Sequence, residues 1–284
     1  MDIFQALVLG LVQGLTEFLP VSSSAHLVFV PWLFGWDDKS VTSIQFDVAL
    51  HMGTLLAVLV YFASDWRRLI AASLALLRER RIGDDPDRRL VLLIGLSTVP
   101  AAVFGFFAED SIDAFFHNPA NPGGGLLVIA VMMIVMGALL LFAERVGKRT
   151  IPLEDIRLPT ALMIGLAQAA ALIPGVSRSG GTITVGLLAG LKREAAARFS
   201  FLLSTPIVIA AGVKQGVGMI QDGGLPASHI MGFLVGFLAS AASGFLCISF
   251  LLWYLQRRST LPFILYRFVV GAALLVLVLV GFRS

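Results

Sequence analysis

Charged side chains are scarce in this sequence. Asp, Glu, Lys and Arg make up 14% of its 284 residues, whereas hydrophobic residues make up 57%, and the mean hydropathy is +0.89. A soluble domain is about one quarter charged and less than half apolar. The composition therefore excludes soluble globular, disordered and collagen-like proteins and indicates an all-α integral membrane protein. Because a spanning helix takes about 20 residues, the chain has room for about six to ten spans.

Cysteine is almost absent as well. The single Cys247 lies in an apolar run, which excludes an internal disulfide and a metal cluster built on thiolates. We expect it to be a small core residue. The sequence begins Met1-Asp2-Ile3, with no basic residue before the first apolar stretch and no small-residue cleavage site after it. We therefore expect no removable signal peptide.

Six apolar runs with at most one charged residue each have the length of a membrane span, and we expect each to form a spanning helix. They cover residues 45–63, 90–108, 124–143, 199–218, 229–253 and 261–281.

Two further apolar stretches, 3–34 and 159–191, are each interrupted by a polar segment that contains proline. These segments are residues 20–24 and 174–182. Non-helical backbone at membrane depth is tolerated only where protein or a water-filled cavity covers it. Interrupted segments of this kind are typical of binding sites in membrane proteins.

Basic residues are distributed unevenly over the connecting segments. Sixteen of the 21 Lys and Arg residues lie between the first two spans, on either side of the stretch 159–191, and before the last span. The connections 109–123 and 219–228 contain none. The positive-inside rule places the first set in the cytoplasm and the second set outside. This assignment requires 3–34 to be a re-entrant hairpin from outside and 159–191 one from the cytoplasm, with both termini external.

Each hairpin is followed by three spans, so the sequence predicts a single membrane domain, 1–284, made of two repeats of inverted topology, 1–155 and 156–284. Residues that match at an offset of 155 support this division. They are Gly10, Leu11, Gln13, Val21, Ser22, Ser24 and Phe46, which match Gly165, Leu166, Gln168, Val176, Ser177, Ser179 and Phe201. Chance similarity of Leu- and Gly-rich segments is the alternative. The matched serines weaken it, because they lie in the two polar segments.

Ionisable residues within apolar segments are candidates for function, because they are costly in a membrane. They are Glu17, His26, Asp47, His51, Arg178, Lys214 and Arg267. For Lys214 and Arg267 we favour the interpretation that the long side chain carries its charge to the membrane surface. For His51 we favour a packing role.

The first polar segment follows an acidic helix face. Gln13 and Glu17 are four residues apart and share one face of a helix, as Ser23 and His26 do three residues apart. Ser22, Ser23 or Ser24 can cap the next helix and leave its backbone N–H groups free for an anion. The alternative is that the serines merely cap and that Glu17 has a structural partner.

The second polar segment has the composition of an oxyanion site. Gly175 and Gly180 let the backbone approach a ligand closely, and the Arg178 guanidinium matches phosphate oxygens. The hydroxyl groups are those of Ser177, Ser179 and Thr182. A structural Arg178 that neutralises Glu17 is compatible with this interpretation. If the two segments meet, Glu17 and Gln13 could hold a divalent cation, and the inventory suits phosphoryl chemistry.

Both motifs carry a family resemblance. QGLTEFLPVSSSAH at 13–26 and PGVSRSGGT at 174–182 closely resemble the two signature motifs of the bacterial undecaprenyl-diphosphate phosphatases of the bacitracin-resistance type, and the resemblance covers essentially the whole chain. It implies hydrolysis of the C55 isoprenyl diphosphate to the monophosphate and phosphate, which recycles the lipid carrier for peptidoglycan synthesis and confers bacitracin resistance. It also implies a multi-pass protein of the bacterial inner membrane whose site opens to the outer face.

The resemblance also implies residue roles. The family's glutamate pair falls on Gln13 and Glu17, its candidate serine nucleophile on Ser23, its histidine on His26 and its essential arginine on Arg178. Its dependence on a divalent cation, magnesium or calcium, attaches to Glu17. Gln13 stands where some members have glutamate, so we expect Glu17 to carry most of the metal ligation. His51 stands where we expect glutamine. The substrate-binding residues that we predict are Gln13, Ser22, Ser24, Gly175, Ser177, Ser179, Gly180 and Thr182.

Several alternatives stay open at this point. Ser23 either attacks phosphorus or orients a water that does, with His26 as base or acid. Inverted repeats with broken helices are also typical of secondary transporters, so a transporter or flippase for an anion or phosphate-bearing lipid is the main rival, and a lipid-phosphate receptor is a weaker one. Four Gly-x-x-x-Gly spacings serve internal packing or a homodimer. We expect no nucleic-acid partner.

Overall fold

The chain folds into helices connected by short segments. The computed structural model describes residues 1–36, 38–116, 122–221 and 223–283, and no β-strand forms within these ranges, where Ile151 and Leu191 make one isolated bridge. The helices are α1 (Ile3–Phe18), α2 (Ser23–Phe34), α3 (Ile44–Tyr61), α4 (Ala63–Glu79), α5 (Pro86–Phe116), α6 (Pro122–Val146), α7 (Leu158–Ala170), α8 (Arg178–Leu188), α9 (Arg193–Gln221), α10 (Ala227–Leu255) and α11 (Leu261–Leu279). The prediction of an all-α membrane protein is confirmed.

Six helices of the described chain are long and apolar enough to cross a membrane. They are α3, α5, α6, α9, α10 and α11, and each coincides with one of the six predicted runs. The protein is therefore a multi-pass membrane protein.

The two interrupted stretches each form a pair of short helices. Helices α1 and α2 have 16 and 12 residues, and α7 and α8 have 13 and 11, so none reaches the length of about 20 residues that a span needs. Within each pair the two helices contact each other. Proline contributes to the first break: Leu19, which precedes Pro20, has an extended backbone with ψ 142°, as a residue before proline prefers.

The sequence analysis did not predict helix α4. Its residues carry several arginines, and Leu69 and Ala72 are buried while Ile70, Leu74 and Leu77 are exposed. An amphipathic helix of this kind suits the membrane interface. It escaped the search for long uncharged runs because its uncharged stretch, residues 69–77, is far shorter than a span and has charged residues on both sides.

Helix α10 packs against α1 and α3 through small residues. A Cβ atom added at Gly10 would lie 2.5 Å from Gly236 O, and one added at Gly14 would lie 2.5 Å from Ser240 O. Two of the Gly-x-x-x-Gly spacings thus serve close helix packing inside the chain. Since α1 and α10 belong to different predicted repeats, the two parts are packed into each other. The inverted relation of 1–155 and 156–284 stays a prediction.

Candidate active site

Serines cap the helices that follow the two breaks. Ser22 Oγ accepts a hydrogen bond from Ala25 N at 3.4 Å, and Ser177 Oγ accepts one from Gly180 N at 3.0 Å. Both serines have a positive φ, 77° and 73°, which costs about 1–2 kcal/mol for a residue with a Cβ. Of the three serines predicted as possible caps, Ser22 is the one whose side chain makes the bond.

The two breaks contact each other directly. Ser22 Oγ also accepts a hydrogen bond from Gly175 N at 3.1 Å, and Ser179 Oγ donates one to Leu19 O at 2.9 Å. The two polar segments thus meet, which is the condition that the sequence analysis set for a common site. Four termini of short helices therefore lie around one point inside the protein.

Glu17 is the centre of the polar contacts at this point. Its side chain is 6% exposed. Oε1 forms an ion pair and hydrogen bond with the Arg178 guanidinium, while Oε2 accepts hydrogen bonds from Ser23 Oγ at 2.5 Å and from Gln13 Nε2 at 3.1 Å. His51 Nε2 lies 3.6 Å from Oε2. Residues of both sequence motifs, Gln13 and Ser23 from the first and Arg178 from the second, thus contact the same Glu17 carboxylate.

A cavity of about 250 Å³ opens beside this carboxylate. The polar residues of its lining are Glu17, Ser23, Ser24, His51, Gln168, Ser177 and Arg178. Its remaining lining is apolar and comes from several helices, with Val48, Ala101, Ile207 and Ala211 among its residues. A cavity with a charged end and apolar walls suits an amphiphile that carries an anionic head group.

Several predicted substrate contacts lie outside the cavity lining. They are Gln13, Ser22, Gly175, Ser179, Gly180 and Thr182. Gln13 holds Glu17, and Thr182 Oγ1 donates to Arg178 O at 2.7 Å. The observed role of these residues is to shape the breaks and to position Glu17 and Arg178. A direct contact with substrate stays a prediction for them.

His26 is directed away from the carboxylate. It is 4% exposed and does not line the cavity. Nδ1 lies 2.6 Å from Ser22 O and Nε2 lies 2.6 Å from Tyr266 OH. Because a carbonyl oxygen can only accept, Nδ1 carries the proton and Nε2 accepts from the tyrosine hydroxyl. Ser23 and His26 were predicted to share one face of the helix, but their side chains have different partners. Ser23 contacts Glu17, whereas His26 contacts Ser22 O and Tyr266 OH.

The chain matches the family model described as bacitracin resistance protein BacA over residues 6–273. The chain belongs to this family. It is 46% identical to an undecaprenyl-diphosphatase of Thermomicrobium roseum over 98% of this chain and 99% of that protein. It is 47% identical to one of Desulforudis audaxviator over 98% of this chain and 99% of that protein, and 47% identical to one of Geobacter sulfurreducens over 97% and 98%.

The BacA-family site offers few ligands for a metal ion. No group of three His, Cys, Asp or Glu side chains that could hold one occurs among the described residues. Glu17 is the carboxylate, and the buried Gln13 Oε1 has no hydrogen-bond partner within the described chain. Both are oxygen donors of the kind that a hard divalent cation binds, with its other ligands coming from phosphate and water, as is common for Mg²⁺.

His51 belongs to the site, in contrast to the packing role we favoured. Its Nδ1 bonds to Asp47 O at 2.8 Å, which turns Nε2 toward Glu17, and its side chain is 26% exposed. The signal in the sequence was its position in an apolar run, which was too weak to separate packing from function.

Arg267 does not reach the membrane surface, so the interpretation we favoured for it is wrong. It is fully buried, and its guanidinium donates hydrogen bonds to Pro20 O, Gly175 O and Val176 O in the breaks at 3.1, 2.7 and 3.3 Å. It also bonds to Met132 O and Met133 O of α6. A broken helix exposes carbonyl groups that need donors, and arginine has five N–H groups to offer. Arg267 thus fixes both breaks.

Proposed function

We propose that this protein hydrolyses undecaprenyl diphosphate to undecaprenyl phosphate and inorganic phosphate. The observation that carries the proposal is the contact of Glu17 with both Ser23 and Arg178 at the charged end of a cavity with apolar walls. Such a cavity accommodates a diphosphate and the first part of an isoprenoid tail. The three relatives compared above are each named undecaprenyl-diphosphatase. The same activity accounts for the bacitracin resistance in the family's description.

Arg178 binds and neutralises the phosphate groups in this mechanism. Its guanidinium matches phosphate oxygens in two-pronged hydrogen bonds, and it lines the cavity with Ser177 and Ser24 hydroxyls nearby. Positioning and neutralisation of charge supply most of the catalysis in phosphoryl transfer. When the diphosphate enters, it competes with Glu17 for this guanidinium and so frees the carboxylate.

Glu17 then acts as the base. Its Oε2 already accepts the Ser23 hydroxyl hydrogen at 2.5 Å. In one route Ser23 Oγ bonds to the terminal phosphorus, its proton passes to Glu17, and the bond to the bridging oxygen breaks to release the lipid monophosphate. Water then hydrolyses the phosphoserine. In the other route Ser23 orients the attacking water. We assign the base to Glu17 rather than to His26, because Ser22 and Tyr266 occupy both ring nitrogens of His26.

A divalent cation, magnesium or calcium, completes the proposed site. Glu17 and Gln13 Oε1 would hold it, and when bound it would neutralise charge on the phosphate oxygens. We also propose that the site opens to the outer face of the bacterial inner membrane and that both termini are external, as the distribution of basic residues indicates.

Phosphate release from the purified protein in detergent tests this function. We expect wild-type protein to release phosphate from undecaprenyl diphosphate and a chelator to abolish the release. Arg178→Ala should lower the rate by about 10³-fold or more. Arg68→Ala is the matched control. It also removes an arginine that pairs with a carboxylate, Asp65, but the Arg68 side chain is 61% exposed. This variant should leave the rate of phosphate release unchanged. A pure transporter or flippase has no activity without a sealed membrane, so phosphate release in detergent distinguishes an enzyme from it. If the wild-type protein released no phosphate, the proposal would be refuted.

A further inference from the structure

Gln168 is a buried amide without a protein partner. It lies on α7, is 3% exposed, and lines the cavity together with Glu17 and Arg178. Neither Oε1 nor Nε2 has a hydrogen-bond partner within the part of the chain that the structure describes. One residue of the cavity lining therefore carries both an unsatisfied donor and an unsatisfied acceptor.

This state requires an explanation, because buried polar groups in folded proteins are nearly always hydrogen-bonded. An unsatisfied buried group costs about 1–3 kcal/mol, so an amide with no function would be replaced at a gain in stability. Gln13, which matches Gln168 at the offset of 155, shows the contrast: its Nε2 donates to Glu17. Of the two glutamines, Gln168 lines the cavity, and its Nε2 has no partner among the described residues.

We propose that Gln168 binds the diphosphate of the substrate, with Nε2 donating a hydrogen bond to a phosphate oxygen and Oε1 accepting one from the water that hydrolysis consumes. This assignment rests on the proposed function. A phosphate oxygen would supply the hydrogen-bond acceptor that the N–H groups of Gln168 Nε2 lack. A glutamine that orients water beside a phosphoryl group is an arrangement that phosphoryl-transfer enzymes use.

The melting temperature and the affinity for the diphosphate together separate this role from a structural one. The two roles predict opposite changes of the melting temperature when the amide is replaced. A structural amide stabilises the substrate-free protein, and its replacement by an apolar side chain lowers the melting temperature. A substrate-binding amide is unsatisfied without substrate. Its replacement by the similarly shaped methionine should therefore raise the melting temperature of the substrate-free protein and weaken binding of the diphosphate.

The experiment uses full-length protein in detergent and the methylene-bridged diphosphonate analogue of farnesyl diphosphate, which cannot be hydrolysed. We expect Gln168→Met to raise the melting temperature by about 2–4 °C and to weaken binding of the analogue, measured by calorimetric titration, by about ten- to hundredfold. Gln168→Glu replaces the donor by an acceptor and should weaken binding at least as much. This second variant decides the matter if Gln168→Met does not fold.

Ser97→Ala is the matched control. The Ser97 hydroxyl is also fully buried and without a partner among the described residues, but it does not line the cavity. Its removal should raise the melting temperature without changing the affinity. Wild-type affinity in either Gln168 variant, with the wild type still releasing phosphate, would overturn the assignment and leave the proposed function intact. A wild type that neither releases phosphate nor binds the analogue would overturn both.

Discussion

The two breaks share one backbone arrangement but supply different chemistry. In each, a serine with positive φ caps the next helix, Ser22 before α2 and Ser177 before α8. The first helical residues are Ser23 and Arg178, which match at the offset of 155, and both contact Glu17. One break thus directs a hydroxyl to the carboxylate and the other directs a guanidinium to it.

The difference shows which residues set geometry and which set chemistry. Residues common to both breaks, such as Ser22 and Ser177, determine the course of the backbone. Residues that differ, such as Glu17 against Leu172 at the matched position, determine the charge. A pair of similar scaffolds can in this way place a base, a nucleophile candidate and an anion-binding group around one cavity.

Removing the shared carboxylate charge should have the largest effect. Glu17→Gln keeps the shape of the side chain but takes away the proposed base for Ser23 and the counter-ion of Arg178. We expect the kcat for phosphate release in detergent to fall by about 10³-fold or more, while the circular dichroism spectrum stays that of the wild type.

Glu144 offers a matched control for this variant. It is also buried, and it accepts hydrogen bonds from Arg193 and Arg149 and from Thr260 Oγ1 at 2.8 Å, away from the cavity. Glu144→Gln should lower the melting temperature but leave the kcat of the folded protein unchanged. Equal kcat values for the two glutamine variants would contradict the central role of Glu17.

Arg267 holds both breaks, so its loss should remove the geometry that they share. Arg267→Met leaves buried carbonyl groups of both breaks without donors, and we expect a loss of at least about 3 kcal/mol of stability. Thermal unfolding in detergent measures it. Arg257→Met is the control, because Arg257 is exposed and lies 5.2 Å from the Trp253 ring. A melting temperature of Arg267→Met equal to that of Arg257→Met would show that the breaks hold their shape without the buried guanidinium.

The sequence predicted what local signals encode. Long apolar runs located the six spans, and proline with serine and glycine located the two breaks, because these residues act on their own stretch of backbone. Contacts across the chain had no such signal. Arg267 finds its partners 91 to 247 residues away along the chain, and His26 meets Tyr266 at a separation of 240. Helix α4 was missed because its uncharged stretch, residues 69–77, is too short for a span.

The two capping serines allow the finest comparison of the breaks. Ser22 Oγ accepts bonds from Ala25 N and also from Gly175 N of the other break, whereas Ser177 lines the cavity. Loss of a cap costs about 1 kcal/mol, and Ser22→Ala loses the bond between the breaks in addition. We therefore expect Ser22→Ala to have the lower melting temperature, and Ser177→Ala to have the larger loss of kcat/KM, by about three- to tenfold. The reverse order in both measurements would mean that the second break, rather than the first, carries the contact that holds the site together.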